Sequence, residues 1–243
     1  MKTLLKPKSE NSISTSTPVF KCPLYLTVVQ CADIAENFLK KHNVLARNQL
    51  PTNIENLALK AGFDVIPTAN LLADHGTRGL FSFDNSTGEP YIRIDLYHYQ
   101  NQPDQAQFTM AEELAHIILH RDIFSQIKTI DDRIALDRQM SVSDRELIEQ
   151  QARRVASGLL LPPSIFNGFV MNYCSTNKKP LLEESHTSFE TLADSVAHRL
   201  KRHIELSHWS LKVALHRWTP EPIMNTVIDR LQLSTSKLPS QYS

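Results

Sequence analysis

Apolar and polar positions recur along this chain with two periods, and each change of period marks an element. In residues 28–42, apolar Val29, Ala32, Ile34, Ala35, Phe38 and Leu39 fall at helical spacing. Pro51-Thr52-Asn53 leads into Ile54, Leu57, Ala58 and Ala61, which predict a short helix ended by Gly62. Residues 63–66 predict a short strand stopped at Pro67. Residues 79–83 and 91–95, joined by a turn at 85–88, predict a hairpin. The strongest helical pattern is QFTMAEELAHIILH, residues 107–120, where Phe108, Ala111, Leu114, Ala115, Ile118 and Leu119 form a broad apolar stripe. Pro103-Asp104 offers this helix a start, with Asp104 as N-cap. Residues 121–140 are polar and charged, with few element signals. Ser143-x-x-Glu146 reads as a capping box opening a second helix, carried through Leu161 and stopped by Pro162-Pro163. Helical spacing returns over residues 189–233.

The polar residues of the strongest helix are ordered as well. Glu112, His116 and His120 follow one another at i, i+4 and stack along one side. Glu113 precedes His116 by three. In the H-E-x-x-H zinc-hydrolase motif, two histidines one turn apart hold the metal and the glutamate after the first activates water. Here the run is Glu112-Glu113-Leu114-Ala115-His116, so the base and second ligand are present and Glu112 replaces the first histidine. In the following helix, Leu147, Ile148, Val155 and Leu159 lie within about 80° of Gln151 on a helical wheel, which turns Gln151 inward. Glu149, about 200° away, is expected to face solvent.

These residues carry a resemblance. FTMAEELAHIILH is similar to the FT-x-AHELGH-x-x-LH signature of the ImmA/IrrE-type zinc metallopeptidases, with Glu112 at the first histidine. Gln151-Ala152-Arg153-Arg154-Val155-Ala156, followed by Leu159-Leu160-Leu161-Pro162, resembles that family's E-A-N-x-F-A and LLMP run, with Gln151 in place of the third zinc ligand. Residues 206–218 are a loose variant of its V-S-x-x-A-x-x-x-R-L pattern. The resemblance covers residues 30–235. It implies an α+β, zincin-like domain over 23–165, with a small β-sheet beside the motif helix, and a C-terminal helical region over 166–233. Residues 1–22, rich in Ser, Thr, Lys and Pro, read as a flexible tail, and 234–243 as a disordered one. By the same resemblance the cofactor is zinc, Glu113 is the catalytic base, Glu112, His116 and Gln151 occupy the ligand positions, and His120 supports them from behind. A sheet edge beside the helix would take an extended peptide by strand addition.

The substitutions change the chemistry expected of the site. A catalytic zinc needs three protein ligands, an open position and a nearby base, and it lowers the pKa of its water to about 7. Neutral amides are weak zinc ligands, and a Glu/His/Gln set suits a harder cation better. Without metal, Glu112 and His116 are spaced to pair, and Gln151 could donate to Glu112, giving a closed polar network. His116 and His120 with Glu112 form a further candidate set of ligands, with Ile117 rather than an acid after His116. Glu113/His116, Glu183/His186 and Glu205/His208 also have the spacing of di-iron carboxylate bundles, but the second pair sits in a loop-like stretch.

Composition narrows the remaining choices. Lys+Arg and Asp+Glu both number 26, so no global field draws the chain to polyanions. Cys22, Cys31 and Cys174 make no C-x-x-C pair and read as reduced thiols of a cytoplasmic protein. No apolar run reaches bilayer length, so no membrane partner is expected. Three functions follow. The first is a relative with a degenerate zinc site that acts in regulation, as in stress responses, by binding a protein partner such as a transcriptional repressor. The second is an active metal-dependent endopeptidase cleaving a repressor, with Glu113 as general base. The third is a DNA-associated regulator using Arg199, Lys201, Arg202, Lys212 and Arg217 of the C-terminal helices.

Overall fold

The computed structural model describes residues 20–45, 49–84, 87–127, 135–136, 138–184, 189–217 and 223–231. The tail reading for 1–19 and 234–243 therefore lies outside the described residues. Helix α1, Val28–Lys41, opens with a capping box in which the Thr27 hydroxyl accepts from Gln30 N–H. Helix α2, Ile54–Lys60, is capped by Asn53, and Gly62 (φ 84°) turns the chain after it. Strand β1 is Asp64–Thr68, helix α3 Leu71–His75, strand β2 Gly79–Phe83 and strand β3 Pro90–Asp95. Helices α4, Leu96–Asn101, and α5, Pro103–Phe124, follow directly. The remainder is helical: α6 Val142–Leu160, α7 Pro163–Thr176, α8 Lys178–Glu184, α9 Phe189–Leu200, α10 His208–Arg217 and α11 Ile223–Leu231.

The sheet has the order β1-β3-β2, with β1 parallel and β2 antiparallel to the central strand. Ile92 and Ile94 of β3 are fully buried and belong to one core with Met110, Ala111, Leu114 and Ala115 of α5. Helix α5 packs against β2 and β3 on one side and most extensively against α6 on another. Ala111, Ala115, Ala152 and Ala156 are all buried, and such small side chains permit close approach of two helices. This mixed α+β arrangement, with a helical C-terminal region, is the fold class the sequence implied. Among the described residues no helix is long and apolar enough to cross a membrane.

Several local expectations shift. Pro67 lies inside β1 and pairs in register with Ile94. It is tolerated because β1 is an edge strand, where a missing N–H need not break a ladder on both sides. The N-cap of α5 is Gln102 rather than Asp104, which puts Pro103 at the first helical position, where its missing N–H costs nothing. The capping box of α6 is Ser141 with Asp144, two residues before the predicted pair. Helices α3 and α4 were not signalled by periodicity. Both hang on Asp95, whose carboxylate accepts the Leu72 and His98 N–H groups, each at 3.1 Å. Those backbone bonds hold its pKa below the usual carboxylate value.

Candidate functional site

The site lies where α5, α6 and β2 meet. Helix α5 leaves helical geometry at His120 (φ −123°, ψ 16°), near its C-terminal end. The His116 ring stacks on Phe81 of β2 at 5.8 Å between centroids and meets Phe124 edge-on, so it is 7% exposed. Its Nδ1 is 3.2 Å from Nδ1 of His120. His120, 1% exposed, has Nε2 3.3 Å from Oε1 of Gln151, which is itself buried. The Gln151 amide nitrogen donates to the main-chain oxygen of Leu24 at 2.7 Å.

These contacts fix the direction of the protons. An amide oxygen only accepts, so His120 must donate from Nε2. Burial lowers the pKa of His120 and keeps the ring neutral, which leaves its Nδ1 as an acceptor for the Nδ1–H of His116. Donation therefore runs from His116 through His120 and Gln151 to Leu24. An amide at position 151 can both accept from His120 and donate to a carbonyl, which an ionised carboxylate cannot.

The two glutamates diverge. Glu113 turns toward the sheet, where its Oε2 accepts the Phe81 N–H at 2.9 Å. That N–H lies on the strand edge beside α5, because β2 is an outer strand. Close approach here requires Gly79, since a Cβ at that position would lie 2.5 Å from Thr109 Cγ2 and 3.0 Å from Glu113 Oε1. Glu112 turns to α6, where its Oε1 is 3.2 Å from Nε of Arg153. Burial raises the pKa of Glu112; Arg153 opposes the rise and Glu149 adds to it.

The pairing expected between Glu112 and His116, and the donation from Gln151 to Glu112, are therefore replaced by other contacts. Arg153 takes Glu112 across the helix interface and also approaches Glu149, four residues before it on α6, at 3.9 Å. The carbonyl of Leu24 takes Gln151, and a main-chain oxygen 127 residues away has no sequence signal. Glu149, expected in solvent, is half-exposed, yet its Oε1 comes within 3.8 Å of His116 Nε2. A long side chain at the rim of a helix face spans what the wheel angle separates.

Two of the groups at the implied ligand positions are turned to other partners. Glu112 is committed to a guanidinium, and Gln151 offers its oxygen to an imidazole N–H. Among the described residues no three His, Cys, Asp or Glu side chains are grouped so as to hold a metal ion. Of the other candidates, Glu205 and His208 flank the start of α10, where His208 faces Asp194 at 3.5 Å. His186 lies outside the described residues. In the basic C-terminal helices, Lys212 is held by Asp194 at 2.9 Å and Glu190 at 3.5 Å.

Residues 71–201 match the family model described as the IrrE N-terminal-like domain, within the peptidases. The match spans more than half of the chain, from α3 through α9 and across both motif helices. No curated protein matches.

Proposed function

Because the chain belongs to the IrrE N-terminal-like domain family, whose fold is that of a metallopeptidase, we propose that it acts in regulation by binding a protein partner, such as a transcriptional repressor, without hydrolysing it. The observation that carries this reading is the division of the ligand positions. Glu112 serves Arg153, His116 serves His120, and Gln151 ties His120 to Leu24. Glu112 and Gln151 thus spend on neighbours the oxygens that a metal would otherwise take, while His116, donating from Nδ1, keeps its Nε2 lone pair. Glu113, in the position of the base, holds an edge-strand N–H instead. The three free thiols support a cytoplasmic setting.

A second reading, a metal-dependent endopeptidase acting on a repressor, draws on the approach of Glu149 to His116. It requires Arg153 to leave both carboxylates and the metal to do without zinc's usual imidazole pair. The DNA-associated reading has less behind it, because Lys212 is already neutralised by two acids.

Restoring the family pattern tests the proposal. Glu112→His with Gln151→Glu should bind about one equivalent of zinc by isothermal titration, and zinc should raise its melting temperature. The unaltered chain should do neither. Equimolar zinc on the unaltered chain, lost on His116→Ala, would overturn the proposal in favour of the peptidase.

A further inference from the structure

Residues 20–27 run alongside α6 without regular secondary structure, and two side chains of that helix read their main chain. Gln151 donates to Leu24 O at 2.7 Å and Arg154 Nη1 to Leu26 O at 3.2 Å. Three residues along a helix rise about 4.5 Å, and two residues of extended chain about 6.6 Å. Long Gln and Arg side chains absorb that difference. Alternate carbonyls of an extended segment are thus matched by donors one turn apart on a helix. Towards its start, Phe20 N–H donates to Gln139 Oε1 at 3.0 Å, and the Cys22 thiol donates to Asp144 at 3.1 Å.

Side-chain burial along this strap is partial, at Phe20, Pro23 and Leu26. Phe20 packs on the small cluster of Ile123, Phe124, Leu136 and Ile148, and Leu26 on the main core. Between them Leu24 is 86% exposed and Tyr25 63%. Leu24 and Tyr25 therefore gain little from apolar burial, and each main-chain bond contributes only about 1 kcal/mol net. A segment held in this way is replaceable by another of the same shape.

We propose that the face of α6 bearing Gln151 and Arg154 is a receptor site for an extended polypeptide, with residues 20–27 as its resident occupant. The protein partner inserts a segment of the same kind in their place: extended, apolar at either end, and unconstrained at the positions of Leu24 and Tyr25. This deepens the partner-binding reading and rests on it, because it names where the partner enters. It also gives the glutamine at position 151 a use that an ionised glutamate could not serve. The relay then reports occupancy, since Gln151 is the link between the seated carbonyl and the two histidines of α5.

Cys22 is the exposed cysteine, while Cys31 and Cys174 are buried, so a nitroxide can be placed on the strap of the full chain at the loss of the thiol bond to Asp144 alone. The spin-label spectrum of this chain should be restricted. Gln151→Leu and, separately, Arg154→Leu should convert most of it to a mobile component, with circular dichroism unchanged. Two variants guard against one that merely fails to fold. A synthetic peptide of residues 20–27, with serine for Cys22, should cause the same conversion in the unaltered chain above the roughly millimolar effective concentration of a tethered segment. A peptide with serine at both apolar ends should require at least about tenfold more, from loss of the buried anchors. A restricted spectrum in both folded variants would overturn the anchoring, and a spectrum unmoved by the peptide would overturn the exchange. Metal uptake by the unaltered chain bears instead on the reading above, so the two failures are separable.

Discussion

His120 donates its Nε2 proton to the amide oxygen of Gln151 across 3.3 Å, a buried polar link between the motif helix and α6. It also fixes what can stand at position 151. The group must accept from an imidazole on one side and donate to the Leu24 carbonyl on the other.

Gln151→Glu should therefore destabilise the chain by about 1–3 kcal/mol at neutral pH, the cost of a buried polar group facing a like partner. Burial would raise the new carboxyl's pKa above its unfolded value of about 4.3. A protonated carboxyl can still donate to Leu24, so the variant should approach the parent below that unfolded pKa. The difference should open as pH rises through the folded pKa. Urea melts from pH 4 to pH 8 would show it.

Glu113 gives a contrast between two substitutions. Glutamine keeps an oxygen that accepts the Phe81 N–H, so Glu113→Gln should be close to neutral in stability. Glu113→Ala leaves that N–H without this acceptor and should cost about 1–3 kcal/mol. Equal losses in thermal melts of the two variants would show that the bond to β2 contributes little.

Gly79→Ala should be destabilising although alanine favours neither turn nor bulge, because the new methyl meets Thr109 Cγ2 at 2.5 Å. Overpacking of this kind costs about 1–3 kcal/mol. Adding Thr109→Ser removes that methyl while retaining the hydroxyl 3.3 Å from His98 Nε2, and should recover part of the loss. Non-additivity in the double-mutant cycle is the measurement.

Glu112 sets a pH dependence of its own. Its pKa is raised, first by burial, against the attraction of Arg153. The sign is that of a group whose favourable contribution is complete below its unfolded pKa and is lost as pH rises through the folded one. Glu112→Gln should flatten the stability profile above about pH 4.3, where an ordinary glutamate ionises. A profile as steep as the parent's would show that Arg153 already offsets the burial.

The parts legible in sequence were those governed by local periodicity. The spacing of Leu114, Ala115 and Ala111 marked α5, and Ile148, Val155 and Leu159 placed Gln151 inside. Periodicity said nothing of α3 and α4, which are too short to show a repeat and depend on Asp95 for their caps. Nor could it place Pro67, because edge and central strands look alike until the strand order is known. In the site, identities were readable but partners were not. Glu112 could meet His116 or Arg153 at helical and interhelical distance alike, and packing of α5 on α6 selected the arginine. The carbonyl over Gln151 belongs to a distant residue, Leu24, whose own side chain is exposed, so no residue type advertised it.

Metal stoichiometry on the untagged full chain tests the central claim most directly, measured as purified and after incubation with zinc and with manganese. Well below one equivalent of either metal is the expected result, unchanged by Glu112→Ala or His116→Ala. Near-equimolar metal that disappears in both variants would contradict it, and would return Glu113 to the role of a general base.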